Sequence, residues 1–210
     1  MSVTAKICGL STPGTLDAAI AGGASHVGFV FFAKSPRNIV ADEAAALARR
    51  TPPQVTRVGL FVDPDPAFLA DVLARVPLEV IQLHGNESPA FAASLGDREV
   101  WKAIPVRRRA DLDAGRAYRG AVSRLLYDAK PPKGAELPGG NGLRFDWKLL
   151  EGHVHLLPWA LSGGLDADNV AEAVRISGAG LVDVSSGVES APGTKDVDKI
   201  AHFLQAVAAL

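Results

Sequence analysis

Cys8, Lys6, Asp128 and Arg37 are the residues whose types and placement could do proton chemistry on a charged small molecule. Cys8 is the only thiol in the chain. Lys6 stands two residues before it, and in an extended strand that spacing puts both side chains on one face. A neighbouring ammonium is expected to lower the thiol from its free value of about 8.5, and a partly ionised thiol is a competent base or nucleophile. Asp128 closes the run Leu125-Leu126-Tyr127 and offers a carboxylic acid at the edge of apolar surroundings, a setting suited to a general acid. Arg37, after Ser35-Pro36, carries a planar fork that fits a carboxylate two-pronged.

Two small-residue turns add a second chemistry. Ser162-Gly163-Gly164 and Ser185-Ser186-Gly187 let backbone N–H groups converge on an anion, and a following helix start adds partial positive charge. They are the candidate phosphate-binding turns. His84, in Gln82-Leu83-His84-Gly85, and Gly142 are further candidates for the same site, together with Lys6. Gly139-Gly140-Asn141-Gly142 is not a dinucleotide fingerprint, because it does not lie in a tight strand-to-helix turn. His153 and His155 alternate on an extended segment without carboxylate or cysteine co-ligands, so no metal is expected.

Elements must bring these residues together. Eight β-branched or aromatic runs read as strands: 5–9, 27–32, 57–62, 80–84, 100–104, 124–129, 158–162 and 181–185. Their continuous apolar character suits strands buried on both faces, as in parallel sheets. Helical stretches follow each of them: 13–22, 41–50, 66–75, 89–95, 109–118, 146–151, 168–177 and 196–210. Pro13, Pro66 and Pro89 suit first helical turns after Thr12, Asp65 and Ser88, while Gly22, Gly23 and Gly178 suit left-handed stops. Eight consecutive βα units predict an α/β fold of the closed kind, a (β/α)₈ TIM barrel of eight parallel strands with outer helices. In such a barrel the candidates above all fall at the C-terminal ends of strands, where barrel sites form. Strand eight neighbours strand one on closure, so the order around the mouth is Asp128, the two small-residue turns, Cys8 and Arg37. The longest irregular connection, 130–144, falls at the same end; a loop of that length usually has a task.

Length and composition agree. The chain has 210 residues, which predicts one domain spanning 1–210. Hydrophobic residues make up 48% and charged residues 21%, as in ordinary globular domains. Twenty-two basic residues against 23 acidic ones leave no cationic field, so neither nucleic acid nor membrane is expected as a partner. The lone cysteine excludes an internal disulfide framework. With no targeting segment visible in Met1–Leu10, a cytoplasmic protein is expected, as a monomer or homodimer.

The motifs, in order, resemble one family. Lys6-Ile7-Cys8-Gly9-Leu10, Val27-Gly28-Phe29-Val30-Phe31, Ser35-Pro36-Arg37, Val58-Gly59-Leu60-Phe61-Val62 and Gln82-Leu83-His84-Gly85 come first. Asp128-Ala129, Gly142 with Phe145-Asp146-Trp147, and Leu161-Ser162-Gly163-Gly164-Leu165 with Asn169-Val170 follow. Asp183-Val184-Ser185-Ser186-Gly187-Val188-Glu189, with Pro192-Gly193 and Lys195-Asp196, ends the set. Together they resemble phosphoribosylanthranilate isomerase of tryptophan biosynthesis over essentially the whole chain. The resemblance implies a (β/α)₈ barrel and an Amadori rearrangement of a phosphoribosyl substrate without cofactor. It implies Cys8 as general base, Asp128 as general acid, Arg37 as clamp for the anthranilate carboxylate, and phosphate on the two small-residue turns. One departure stands out: the loop that usually reads Ser-Gly-Gly-Thr-Gly in that family is Pro138-Gly139-Gly140-Asn141-Gly142 here, without the two hydroxyls.

Three rivals are weaker. The sister isomerase of histidine biosynthesis, or a dual-specificity enzyme, needs a second anion cradle, and the ends of strands three and four (Val62-Asp63-Pro64-Asp65, Leu83-His84-Gly85-Asn86) lack one. A Schiff-base aldolase would use Lys102 or Lys6, although Lys102 reads better as a charge partner. A non-catalytic phosphosugar-binding barrel has no use for both Cys8 and Asp128.

Overall fold

The computed structural model describes residues 2–132, 134–135 and 137–210. Residues 133 and 136, within the long 130–144 connection singled out above, and residue 1 lie outside the described residues. The eight strands are β1 (Thr4–Cys8), β2 (His26–Phe31), β3 (Thr56–Phe61), β4 (Val80–Leu83), β5 (Glu99–Val106), β6 (Arg124–Ala129), β7 (Trp159–Leu161) and β8 (Leu181–Val184). They pair in sequence order into a closed parallel barrel, and β8 returns to β1 with Lys6 opposite Asp183. This is the expected (β/α)₈ architecture.

The helices are α1 (Pro13–Ala21), α2 (Ala41–Arg50), α3 (Pro66–Arg75), α4 (Pro89–Ser94), α5 (Val170–Ser177) and α6 (Val197–Ala208). The start signals work as read. The Thr12, Asp65 and Ser88 side chains accept from backbone N–H groups of the first turns of α1, α3 and α4, each with proline at the helix start. Gly178 stops α5 in the left-handed region at φ +73. Gly22 differs: its φ is −76, and the left-handed residue is Gly23 at φ +87. Gly22 is small because Leu204 of α6 packs onto it, leaving no room for a Cβ.

After β5 and β6 the expected helices are 3₁₀ turns, Arg109–Tyr118 and Trp147–Leu150. Gly115 lies so close to Leu125 that a side chain there would collide, which draws the first of these turns onto the barrel wall. A short 3₁₀ turn, Ser186–Val188, and a hairpin of β9 (Glu189–Ala191) and β10 (Thr194–Lys195) follow β8. None of these three elements was expected.

Side chains alternate along each strand between the outer helix layer and the barrel interior. Val58, Val80, Trp101, Ala103, Leu126, Ala160 and Leu181 fill the interior. Above them, toward the C-terminal end, Cys8, Val30 and Leu60 form a second buried group with Phe32 and Val62 against it. The barrel is thus packed below and open above, where β-strand ends present polar residues. No helix among the described residues is long and apolar enough to cross a membrane.

Candidate active site

One cavity opens at the C-terminal end of the barrel, and Cys8, Arg37, His84, Asp128, Gly142, Ser162, Gly163, Gly164, Ser185 and Ser186 all line it. Two expected members do not. Gly187 packs instead against the Leu165 carbonyl, where a Cβ would overlap the oxygen. Lys6 is fully buried below the mouth, in the barrel interior. The strand pattern fixed which side Lys6 faces but not its depth.

Lys6 lies under Cys8. A Cβ on Gly28 would sit 3.1 Å from Cys8 Sγ and 3.1 Å from Lys6 Nζ, so the glycine leaves room for both side chains across the barrel. Lys6 Nζ donates to Asp183 Oδ1 at 2.7 Å, and Ser162 Oγ donates to Asp183 Oδ2 at 3.2 Å. The expected lowering of the thiol is reversed. Burial pushes Cys8 above its ordinary value, and the nearby Lys6 ammonium only partly offsets this. Burial works against the Lys6 charge too, yet Asp183 and Cys8 hold that ammonium more firmly protonated than usual.

Asp128, at the end of β6, accepts the Ala129 N–H on Oδ1 at 2.8 Å, and its Oδ2 lies 3.1 Å from His84 Nε2. Gln82 Nε2 lies 3.0 Å from His84 Nδ1, so Gln82, His84 and Asp128 form one row of polar contacts. The backbone presses close around this acid. A Cβ on Gly163, at φ +93, would come within 2.9 Å of Asp128 Oδ1, and one on Gly139 within 2.6 Å of Oδ2.

Arg37 is buried rather than solvated. Its Nε and Nη2 donate to Glu189 Oε1 and Oε2 at 2.7 and 2.8 Å, and Nη2 also donates to the Gly140 carbonyl at 3.1 Å. One edge of the fork is therefore held by a partner carboxylate, and Nη1 is the nitrogen without a partner among the described residues. Val30, Phe32, Leu60 and Val62 line the same cavity as an apolar patch against Cys8. Gly163 and Gly164, at φ +93 and +63, turn the chain after β7 and line the cavity together with Ser185 and Ser186. Residues Leu137–Leu143 roof the cavity, and Asn141 turns its amide back onto the Leu137 carbonyl. The cavity thus gathers a thiol, a carboxyl, an arginine, an apolar patch and two small-residue turns in one place.

The N-(5'-phosphoribosyl)anthranilate isomerase family model matches residues 5–206. The chain belongs to this isomerase family. An N-(5'-phosphoribosyl)anthranilate isomerase of Rhodospirillum centenum is 56% identical to it, covering 100% of both chains. Among solved structures, the phosphoribosyl anthranilate isomerase of Thermotoga maritima is 36% identical, covers 99% of this chain and 100% of its own, and superposes with a TM-score of 0.89. A phosphoribosyl anthranilate isomerase in complex with reduced 1-(o-carboxyphenylamino)-1-deoxyribulose 5-phosphate is 33% identical over 99% of this chain and 100% of its own, with a TM-score of 0.84.

Other sequence candidates fall away from the cavity of this isomerase. Lys102 points outward from β5 and pairs with buried Glu87 at 3.0 Å, as a charge partner should. His153 and His155 pack with Tyr127 and Trp159. Asp183, Glu189 and Lys195 had no assigned role from sequence. Their signal was a charge inside an apolar run for Asp183, and a charged pair closing a turn for the other two.

Proposed function

We propose that this protein catalyses the Amadori rearrangement of N-(5-phosphoribosyl)anthranilate to 1-(2-carboxyphenylamino)-1-deoxyribulose 5-phosphate in tryptophan biosynthesis, with Asp128 as general acid and Cys8 as general base. The observation that carries the reading is that one cavity is lined by Cys8, Asp128, Arg37, an apolar patch and the two small-residue turns. The substrate has a phosphate at one end, an aromatic carboxylate at the other, and the reacting carbons between them.

Asp128 gives its proton to the ribose ring oxygen, the C1–O bond breaks, and the anilino nitrogen lone pair forms the iminium. Cys8 then takes the C2 proton, the electrons of that C–H bond move into the iminium, and an enolamine results. Tautomerisation of the enolamine yields the ketone. The iminium is itself the electron sink, so the chemistry calls for no cofactor. It also places a positive charge near Cys8 at the moment a base is required, which favours the thiolate against the effect of burial. Acid–base groups of this kind contribute about 10²–10⁴-fold each. Much of the remaining acceleration comes from holding the two ends that do not react.

In this reading the anthranilate ring lies on Val30, Phe32, Leu60 and Val62 with its carboxylate on Arg37. The phosphate sits on the backbone of Ser162-Gly163-Gly164 and Ser185-Ser186, facing Gly142. The apolar patch also favours this substrate over the bisphosphate of the histidine-pathway isomerase, whose second phosphate would have to be desolvated against hydrocarbon. The test is loss of anthranilate fluorescence when the purified protein is mixed with N-(5-phosphoribosyl)anthranilate. Turnover is expected; a folded protein without turnover would overturn the reading.

A further inference from the structure

Glu189 is a buried carboxylate that does not line the cavity and takes no part in the chemistry above. It nevertheless accepts four hydrogen bonds. Oε1 accepts from Arg37 Nε at 2.7 Å and from Lys195 Nζ at 2.5 Å. Oε2 accepts from Arg37 Nη2 at 2.8 Å and from the Gly193 N–H at 3.2 Å. Lys195 Nζ goes on to donate to the Ser185 carbonyl at 3.0 Å and the Ser185 hydroxyl at 3.2 Å. The hydroxyl in turn donates to the Cys8 carbonyl at 3.2 Å. A continuous chain of contacts therefore runs from Arg37 through Glu189 and Lys195 to Ser185. It joins the loop after β2 to the turn after β8 by way of the β9–β10 hairpin.

We infer that Glu189 is a positioning residue that fixes the spacing between the two substrate anchors, orienting Arg37 for the carboxylate and, through Lys195, the Ser185 turn for the phosphate. The inference rests on the anchor roles assigned above. Three buried charges are a costly way to gain stability, since packed apolar groups of the same volume often do as well. Their geometric value is plainer. A two-pronged contact leaves the Arg37 plane little freedom, and the same carboxylate holds the ammonium that grips Ser185. Burial alone would raise the Glu189 carboxyl, yet its hydrogen bonds from Arg37 and the Lys195 charge keep it below the usual carboxylate range, so the brace is charged at neutral pH. An anchor displaced by about 1 Å can cost about 10²-fold in rate. A rigid brace between anchors also selects against phosphoribosyl compounds whose two anionic ends are differently spaced.

The test uses the full chain, with anthranilate and inorganic phosphate as competitive probes of the two ends. Arg37→Ala is expected to raise the inhibition constant for anthranilate alone, and Lys195→Met that for phosphate alone. Glu189→Gln touches neither probe, yet both constants are expected to rise by about fivefold or more, with KM for the substrate rising by a larger factor than kcat falls. Glu189→Asp keeps the charge but withdraws it by one methylene. It is expected to show the same two-ended loss, and it decides the matter if the glutamine variant does not fold. A folded Glu189 variant with both constants unchanged, or with only one affected, overturns the proposal, even if its melting temperature falls. If Arg37→Ala leaves anthranilate inhibition unchanged, the anchor assignment itself is wrong and the brace falls with it.

Discussion

Replacing Lys6 by methionine isolates the charge that supports Cys8. Both Lys6 Nζ and Cys8 Sγ lie 3.1 Å from the point a Cβ on Gly28 would occupy, so they are separated by at most about 6 Å. At an effective dielectric constant of about 20, two unit charges at that distance interact by about 3 kcal/mol, or about two pKa units. Without the ammonium the thiolate loses that support, and the thiol, already above its ordinary value, rises further. At any pH below the thiol midpoint the thiolate fraction then falls by about 100-fold. The single variant also strands Asp183, and breaking a buried pair costs about 3–5 kcal/mol, so folding is checked by urea titration. Lys6→Met with Asp183→Asn removes both charges and serves as the folded companion, with a smaller upward shift because the opposing carboxylate goes too. Cys8 is the only cysteine, so alkylation by iodoacetamide reports on it alone. The pH profiles of alkylation and of kcat/KM should both move to higher pH in Lys6→Met. Profiles that coincide with the wild type in a folded variant, or that move down, would refute the electrostatic account of the base.

Gly163→Ala places a Cβ 2.7 Å from the Ala129 nitrogen and 2.9 Å from Asp128 Oδ1, at a φ of +93 that L-residues avoid. We expect a loss of about 1–3 kcal/mol in urea unfolding together with a lower kcat, because the acid is pushed from its place. Acid should weaken the fold through His26. Its burial, with the Lys6 charge nearby, pulls its pKa from 6.5 down to about 4, so the folded state binds fewer protons than the unfolded one in that window. Stability present above pH 6.5 is then lost as pH falls toward 4, by about 3 kcal/mol if this residue acts alone. Urea titrations of wild type and His26→Gln at pH 7.5 and 5 should show a shallower loss in the variant; equal losses would remove His26 from the account.

Much of this architecture was legible because burial on both faces writes continuous apolar runs. All eight strands lie within a few residues of their expected positions, and three proline-led helix starts carry the caps that were read. The residues at strand ends were legible for the same reason, since a barrel brings those ends to one mouth. What escaped depends on contacts between distant positions. Lys6 and Asp183 are 177 residues apart, and Arg37 and Glu189 are 152 apart, joined only when β8 closes on β1. The alternation of β1 put Lys6 and Cys8 on one side, but depth decides which effect prevails, and at full burial desolvation outweighs the ammonium. The β9–β10 hairpin had no apolar alternation to mark it, and the 3₁₀ segments after β5 and β6 carry a helix-like composition that does not separate them from α-helices. Gly187 has the sequence context of an anion turn, although its glycine is required by close packing on Leu165.

The central claim is that Cys8 and Asp128 are the base and acid of one rearrangement. The most direct measurement is kcat of Cys8→Ala and Asp128→Asn with N-(5-phosphoribosyl)anthranilate, followed by the loss of its fluorescence, on variants whose unfolding midpoints match the wild type. Each is expected to fall by about 10²–10⁴-fold. A kcat in either variant equal to that of the wild type would contradict the claim.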